Sequence, residues 1–338
     1  MRGAFALGTR LRGVFAVMKH LLSLEKLTGT EMRAILNRVA EFKAHRTSHT
    51  RPLSGQTWGL IFSKSSTRTR VSFEVGIREL GGDALFLSAT DIQLGRGEPI
   101  RDTARVLGRM LHGAVIRTFA QHDVEEFATY SGIPTVNALT DDEHPCQILT
   151  DIFTFEERRR ESIAGKVVTF IGDGACNVPA SWIFAAARLG FELRIAAPKK
   201  YWPAPAVLRR AGAGDAADWD QHARTSITER MPIGAGMLEL IEDVKLASRR
   251  ADLLYTDVWV SMGKEAEKAA RLQDLTGYQI NQGLIDLARP EVLVMHCLPA
   301  YRGLEIDEPT LEAHADTIFA EAENRLHVQK AIIAWMLA

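Results

Sequence analysis

Thr57-Trp58-Gly59-Leu60-Ile61-Phe62-Ser63-Lys64-Ser65-Ser66-Thr67-Arg68-Thr69-Arg70 is the stretch on which the fold turns. Its first six residues form a short apolar run that reads as a buried strand, and Lys64 sits in the following turn. Beyond it Phe73, Ile77 and Leu80 recur at helical spacing, which predicts an amphipathic helix ended by Gly81-Gly82. Ser66 to Arg70 therefore occupy a strand-to-helix handover, where backbone N–H groups lack partners and the helix dipole is positive. Three hydroxyls and the planar fork of Arg68 at such a place make an oxyanion cradle, so a phosphate-bearing ligand is expected. A capping serine with solvated arginines is the plain alternative. Hydroxyls alternating with two arginines favour the cradle.

The same strand-then-helix logic repeats outward in both directions. Further strands are expected at Ala84–Ser88, Ala114–Arg117 and Pro134–Asn137, with helices opening at Asp102 as N-cap and around Asp123–Tyr130. A long helix begins near Pro145, with Ile148, Ile152 and Phe155 as its apolar stripe. The charge cluster from Glu156 to Glu161 reads as its solvated end. The second half adds strands at Lys166–Ile171, Glu192–Ala197, Met237–Leu240, Asp252–Thr256 and Val292–Met295, and a final helix from about Glu321 to Leu337. This is an α/β chain of two doubly wound parallel-sheet domains joined by long helices. Such sheets bind ligands at the carboxyl ends of their strands, and every candidate motif falls at one.

Composition bounds the rest. A length of 338 residues suits two domains, and a net charge of −1 argues against a nucleic-acid partner. No apolar run reaches membrane-spanning length. Cys146, Cys176 and Cys297 are too widely spaced for a metal pair or disulfide framework, which suits a reducing cytoplasm. Residues 1–17 carry Arg2, Arg10 and Arg12 and no acid. They read as the product of an upstream start before Met18, or as an organellar presequence.

Around the cradle, Arg117 closes a strand and is a second cation for the ligand, and His144-Pro145-Cys146-Gln147 sets an imidazole and an amide at a helix start. Gly172-Asp173-Gly174-Ala175-Cys176-Asn177 follows a strand but lacks the third glycine of a dinucleotide fingerprint, so Asn177 is read as a polar substrate contact. Asp257 opens the segment to Ser261-Met262-Gly263, either a capped loop or an anion on a hinged lid facing a substrate ammonium. His296-Cys297-Leu298-Pro299 offers a thiol that is nucleophile, packing residue or polar contact, with Pro299 holding Leu298 extended. Arg325 alone reads as surface charge.

Taken together, Ser66-Thr67-Arg68-Thr69-Arg70, His144-Pro145-Cys146-Gln147, Asp257 to Gly263 and His296-Cys297-Leu298-Pro299 resemble the signatures of the ornithine carbamoyltransferases, in order, across the chain from about Met18. The first two are shared by carbamoyltransferases generally, and the last two point to ornithine. The resemblance implies transfer of a carbamoyl group from carbamoyl phosphate to the δ-amine of L-ornithine in arginine metabolism, without metal or cofactor. It implies a carbamoyl-phosphate domain over 18–150, completed by the C-terminal helix 321–338, and an ornithine domain over 151–320. Ser66, Thr67, Arg68, Thr69 and Arg117 would bind phosphate. Arg117, His144 and Thr69 would surround the carbonyl oxygen, and Gln147 with the Leu298 carbonyl would hold the carbamoyl nitrogen. Asn177, Asp257, Ser261 and Met262 would hold ornithine, with Cys297 beside its δ-amine and Arg325 near carbamoyl phosphate. The resemblance further implies a homotrimer in which Gln93 is lent to the neighbouring site. Two features depart from it: Cys176 stands where the family usually has Asn, and the 211–236 segment, expected as a surface loop or helix, is long.

Three rivals remain. A sister enzyme using putrescine, aspartate or an acylated ornithine fits the Asp257 and Ser261-Met262-Gly263 pair poorly. A nicotinamide-dependent oxidoreductase lacks its fingerprint after Ile171. A non-catalytic homologue is expected to have lost Arg68, His144 or Cys297, and all are present.

Overall fold

Apolar runs with no polar alternation become strands buried on both faces, and the chain places two sets of them in two sheets. The computed structural model describes residues 18–46, 48–88, 97–217 and 228–338; the extension 1–17 and Gln93 lie outside the described residues. The first sheet holds β1 (Thr57–Phe62), β2 (Asp83–Ser88), β3 (Gly113–Arg117) and β4 (Thr135–Leu139), all parallel in the order β2-β1-β3-β4. Every residue of β3 is buried, whereas the edge strand β2 is partly exposed. Around this sheet lie α1 (Gly29–Ala44), α2 (Thr67–Glu79), α3 (Ile100–Leu107) and α4 (Gln121–Ser131). Helix α3 opens at Pro99 and not at Asp102, which falls in its first turn, where a carboxylate complements the dipole without capping.

The chain crosses on α5 (Pro145–Arg159) to β5 (Val167–Ile171), β6 (Glu192–Ala196), β7 (Thr228–Ile233), β8 (Gly236–Ile241), β9 (Leu253–Thr256) and β10 (Leu293–His296). Their order is β10-β9-β5-β6-β8-β7, parallel except for β7 against β8. Between them run α6 (Asn177–Leu189), α7 (Pro205–Arg210), α8 (Val244–Ser248), α9 (Lys268–Asp274) and α10 (Gln282–Ile285), and α11 (Glu308–Ala313) follows β10. Strand β7 corrects the expectation of a loop or helix within 211–236. It alternates buried Met231 and Ile233 with outward residues, and Pro232 is tolerated because the strand is an edge.

The last helix, α12 (Ala315–Met336), begins six residues before the expected Glu321 and returns to pack on α1, α2, α5 and β10. Beyond Ala320 it is buried almost all round, as a helix wedged between two sheets must be. One apolar cluster runs from Leu36 and Ile152 through Trp182 and Tyr255 to Ile332, so α5 and α12 form a shared spine. The charged end of α5 is not simply solvated. Glu156 meets Arg33 at 2.5 Å, Glu157 meets Lys43 at 2.7 Å, and Arg158 meets Asp316 at 2.5 Å, tying α5 to α1 and α12.

In each sheet the strand order reverses about its first strand. This opens crevices beyond the carboxyl ends of β1/β3 and of β5/β9. The ends of β1, β3, β4, β5, β9 and β10 and the segments after them carry the candidate residues, with Arg325 on α12.

Candidate active site

Ser66 caps α2: its hydroxyl accepts from the Thr69 backbone N–H at 3.2 Å and lies 2.9 Å from Thr69 Oγ1. Thr69 Oγ1 also accepts from Arg325 Nη2 at 2.6 Å and from Arg117 Nη1 at 3.5 Å. One buried hydroxyl thus collects guanidinium groups from β3 and α12. The Nε–H groups of Arg117 and Arg325 are buried without a partner, and among the described residues no carboxylate pairs with Arg68, Arg117 or Arg325. Burial pulls the Arg117 pKa down to about 10, helped by repulsion from Arg325 and Arg68, and burial likewise lowers Arg325. Thr67 is exposed at the first residue of α2. Arg70 leaves the cradle, stacking over Phe86 at 3.7 Å.

His144 precedes α5, where its backbone N–H donates to Ser181 Oγ at 2.8 Å. Its ring Nδ1 is buried without a partner, and burial, then Arg325 and Arg117, push its pKa well below the ordinary value. A neutral imidazole beside two cations can donate one N–H to an oxygen as charge develops there. One turn on, Gln147 Nε2 donates to Asp151 Oδ1 at 2.8 Å and to Glu321 Oε1 at 2.9 Å, leaving its Oε1 buried and unpartnered. Donors for an oxygen and an acceptor for an N–H therefore stand side by side.

Across the crevice, Asn177 opens α6 and donates from Nδ2 to the Thr140 carbonyl at 2.6 Å, joining the β5 loop to the loop before His144. Asp257 Oδ1 accepts from the Val258 N–H at 2.7 Å and from the Cys297 thiol at 3.0 Å. Burial raises the Asp257 pKa, and burial followed by the Asp257 charge pushes the Cys297 thiol well up. Cys297 is therefore held as a thiol donor, not a thiolate nucleophile. Leu298 corrects the extended expectation: it sits at φ 55, in the left-handed region, and the Leu298–Pro299 bond is cis. The turn is held by the Leu298 N–H, which donates to His296 Nδ1 at 2.8 Å.

Ser261 and Met262 lie on the segment that follows Asp257. Met262 is 47% exposed, and among the described residues the Ser261 hydroxyl makes no hydrogen bond. The tip at Gly263 (φ 91) faces Phe119, whose ring a Cβ there would meet at 4.0 Å, so the segment reaches toward the loop after β3. Among the described residues no three His, Cys, Asp or Glu side chains gather to hold a metal.

Comparison with known proteins decides the lineage. The profile described as aspartate/ornithine carbamoyltransferase, carbamoyl-P binding domain, matches residues 19–157, and the Asp/Orn binding domain of the same family matches 164–336. The chain belongs to the aspartate/ornithine carbamoyltransferase family. An ornithine carbamoyltransferase of Akkermansia muciniphila is 53% identical over 94% of this chain and 97% of its own. Among solved structures, an anabolic ornithine carbamoyltransferase from Campylobacter jejuni superposes with a TM-score of 0.84 at 39% identity, covering 94% of this chain and 99% of that one. One from Pyrococcus furiosus gives 0.81 at 39% identity, covering 94% and 98%.

Within this family layout Arg325 is instructive, because it belongs to the second profile and serves the cradle of the first. Sequence reasoning missed Asp151, Glu321, Thr140 and Ser181. Only the first two left a signal: Asp151 lies four residues after Gln147 as the one charge between Pro145 and Phe155, and Glu321 four residues before Arg325. Both spacings put the pair on one helix face.

Proposed function

We propose that this chain transfers the carbamoyl group of carbamoyl phosphate to the δ-amine of L-ornithine, giving L-citrulline and phosphate. The observation that carries it is the meeting of buried Arg117 and Arg325 at Thr69 with no carboxylate among the described residues to neutralise them. Buried cations without anions are costly, and a phosphoryl donor supplies the missing charge. In this reading phosphate sits at the start of α2 on Ser66, Thr67, Arg68, Thr69 and Arg117. The carbonyl oxygen lies among Arg117, His144 and Thr69, near Arg325. The carbamoyl nitrogen lies on Gln147 Oε1 and the Leu298 carbonyl.

Ornithine enters over the β5/β9 crevice, its amino-acid head on Asn177, Asp257, Ser261 and Met262, its δ-amine beside Cys297. The ammonium first loses a proton to solvent. The neutral amine then attacks the carbonyl carbon, a C–N bond forms, the C–O bond to phosphate breaks, and the amine's surplus proton passes to the departing phosphate. Proximity and donors aimed at the carbonyl oxygen supply the rate.

The domain reading assigns 18–150 with α12 to the donor and 151–320 to ornithine. A cytoplasmic homotrimer serving arginine biosynthesis, with Gln93 completing a neighbour's site, completes the proposal. Purified protein should release phosphate and citrulline in equal amounts from carbamoyl phosphate and ornithine. Faster carbamoylation of putrescine or an acylated ornithine would overturn the acceptor. Co-refolded Arg68→Gly and Gln93→Ala chains should recover activity in roughly a quarter of sites, by combinatorics on a cyclic interface. Mixtures no better than their parents despite subunit exchange would remove the shared site.

A further inference from the structure

An amide of ordinary appearance is fixed in one orientation here. Both N–H bonds of Gln147 are taken up beneath the site, by Asp151 Oδ1 at 2.8 Å and by Glu321 Oε1 at 2.9 Å. Gln147 is 1% exposed and both carboxyl groups are fully buried. Turning the amide over would set its oxygen against two carboxyl groups and strand two N–H bonds. The other oxygen of Glu321 accepts the His296 backbone N–H at 3.0 Å, two residues before Leu298. One side chain on α12 therefore ties down the Gln147 side chain and the turn that carries the Leu298 carbonyl, the two acceptors assigned to the donor's terminal nitrogen.

We propose that Asp151 and Glu321 are positioning residues that make the site select a carbamoyl over an acyl phosphate. By holding both Gln147 N–H groups they leave only an acceptor facing the donor's terminal group, which an NH2 satisfies and a methyl cannot. The inference rests on the donor reading above. Burial holds both carboxyl groups above their ordinary range, and the negative charge of Asp151 adds to the effect on Glu321. The pair thus keeps a proton and does not set two unpaired charges beside the amide.

The test compares carbamoyl phosphate with acetyl phosphate, which replaces the NH2 by a methyl of the same size. Steady-state citrulline formation, with acetyl phosphate as competitor, is measured for the wild-type chain, Asp151→Asn and Glu321→Gln, with a thermal scan of each. The wild-type chain should hold carbamoyl phosphate at least about tenfold better than acetyl phosphate, because a buried acceptor left unmatched is heavily penalised. In Glu321→Gln the new amide lets Gln147 turn over. Its KM for carbamoyl phosphate should rise roughly 10- to 100-fold, with acetyl phosphate inhibition and the ornithine KM each within about threefold. Asp151→Asn should shift the same ratio in the same direction and serves if Glu321→Gln loses its thermal transition. Parallel weakening of both phosphates, an unchanged ratio, or a wild-type chain indifferent to methyl against NH2 overturns the inference. A wild-type chain that makes no citrulline overturns the donor reading itself. Citrulline formation with the preference kept in both variants overturns only the role of Asp151 and Glu321.

Discussion

Arg271 and Arg325 are both buried, 7% and 3% exposed, and both issue from helices, yet only Arg271 meets carboxylates. Arg271 sets Nη1 2.5 Å from Asp173 and Nε 2.8 Å from Glu267. Burial pulls its pKa down, but Asp173 and Glu267 outweigh it and the net displacement is upward. Arg325, with Arg117, is displaced downward, its Nε unpartnered and its fork resting on a threonine hydroxyl. The first arrangement is complete within the chain and fastens α9 to the loop after β5. The second lacks a carboxylate among the described residues, and in the proposed reading the donor's phosphate completes it. The answered charge holds shape, and the unanswered one is the charge the proposed function uses.

Breaking the cradle should give the largest effect. Arg68→Gly is expected to lower kcat/KM for carbamoyl phosphate by at least roughly ten- to a hundredfold, since a charge-assisted bond of this kind contributes about 1.5–3 kcal/mol. Arg117→Met should lower kcat by roughly a hundredfold to a thousandfold, the scale of a lost donor at a carbonyl oxygen, with Tm held or raised because an unpaired buried charge is gone. Citrulline assays and thermal scans check both. Near-normal saturation by carbamoyl phosphate in Arg68→Gly would remove the phosphate assignment.

The opposite pattern is expected at the paired site. Arg271→Met strands Asp173, which is 5% exposed, and should destabilise the chain by about 3–5 kcal/mol in urea unfolding. Adding Asp173→Asn should restore a good part of that. A loss of carbamoyl-phosphate affinity without a loss of stability would collapse the contrast.

Asp257→Asn is a smaller, more selective break. In the proposed reading the carboxylate faces the acceptor only, so the ornithine KM should rise roughly tenfold while that for carbamoyl phosphate moves within about twofold. Equal losses for both substrates would make Asp257 part of the scaffold.

Glu143 sharpens the comparison with an anion in place of a cation. It is 1% exposed, bonded to Ser23 and to the Leu24 N–H, and no cation pairs with it among the described residues. Burial pushes its carboxyl up to about 7, against those two hydrogen bonds. The folded chain thus binds this proton more tightly than the unfolded chain. Its contribution to stability is full below the ordinary carboxylate range and is lost as pH rises through about 7. Glu143→Gln should flatten that decline and add on the order of 2 kcal/mol at pH 8 relative to wild type. Parallel stability curves from pH 5 to pH 8 would show that the ionised carboxylate is tolerated.

Much of this was legible in the sequence, for local reasons. Trp58 to Phe62 and Gly113 to Ile116 are apolar without interruption, and only a strand covered on both faces needs that. The parallel order then puts Ser66, Arg117, Asp257 and Cys297 at strand ends, because βαβ crossovers bring every parallel strand to the same edge. Strand β7 escaped because Pro232 argues against a strand unless the strand is known to be an edge. Edge position is a property of the sheet, not of the segment.

By itself the sequence determined the sheets, the strand ends and the cradle of hydroxyls at the start of α2, since burial periodicity and capping are set by residues close along the chain. Tertiary structure alone decided which distant groups answer them. Arg325 reaches Thr69 across 256 residues, and Glu321 fixes the Gln147 amide across 174. Arg325 reads as surface charge in sequence because a guanidinium has no intrinsic preference between water and a buried hydroxyl. The return of α12 between the two sheets removes the water, and the identity of the nearest remaining acceptor then decides whether that charge is structural or is held for a ligand.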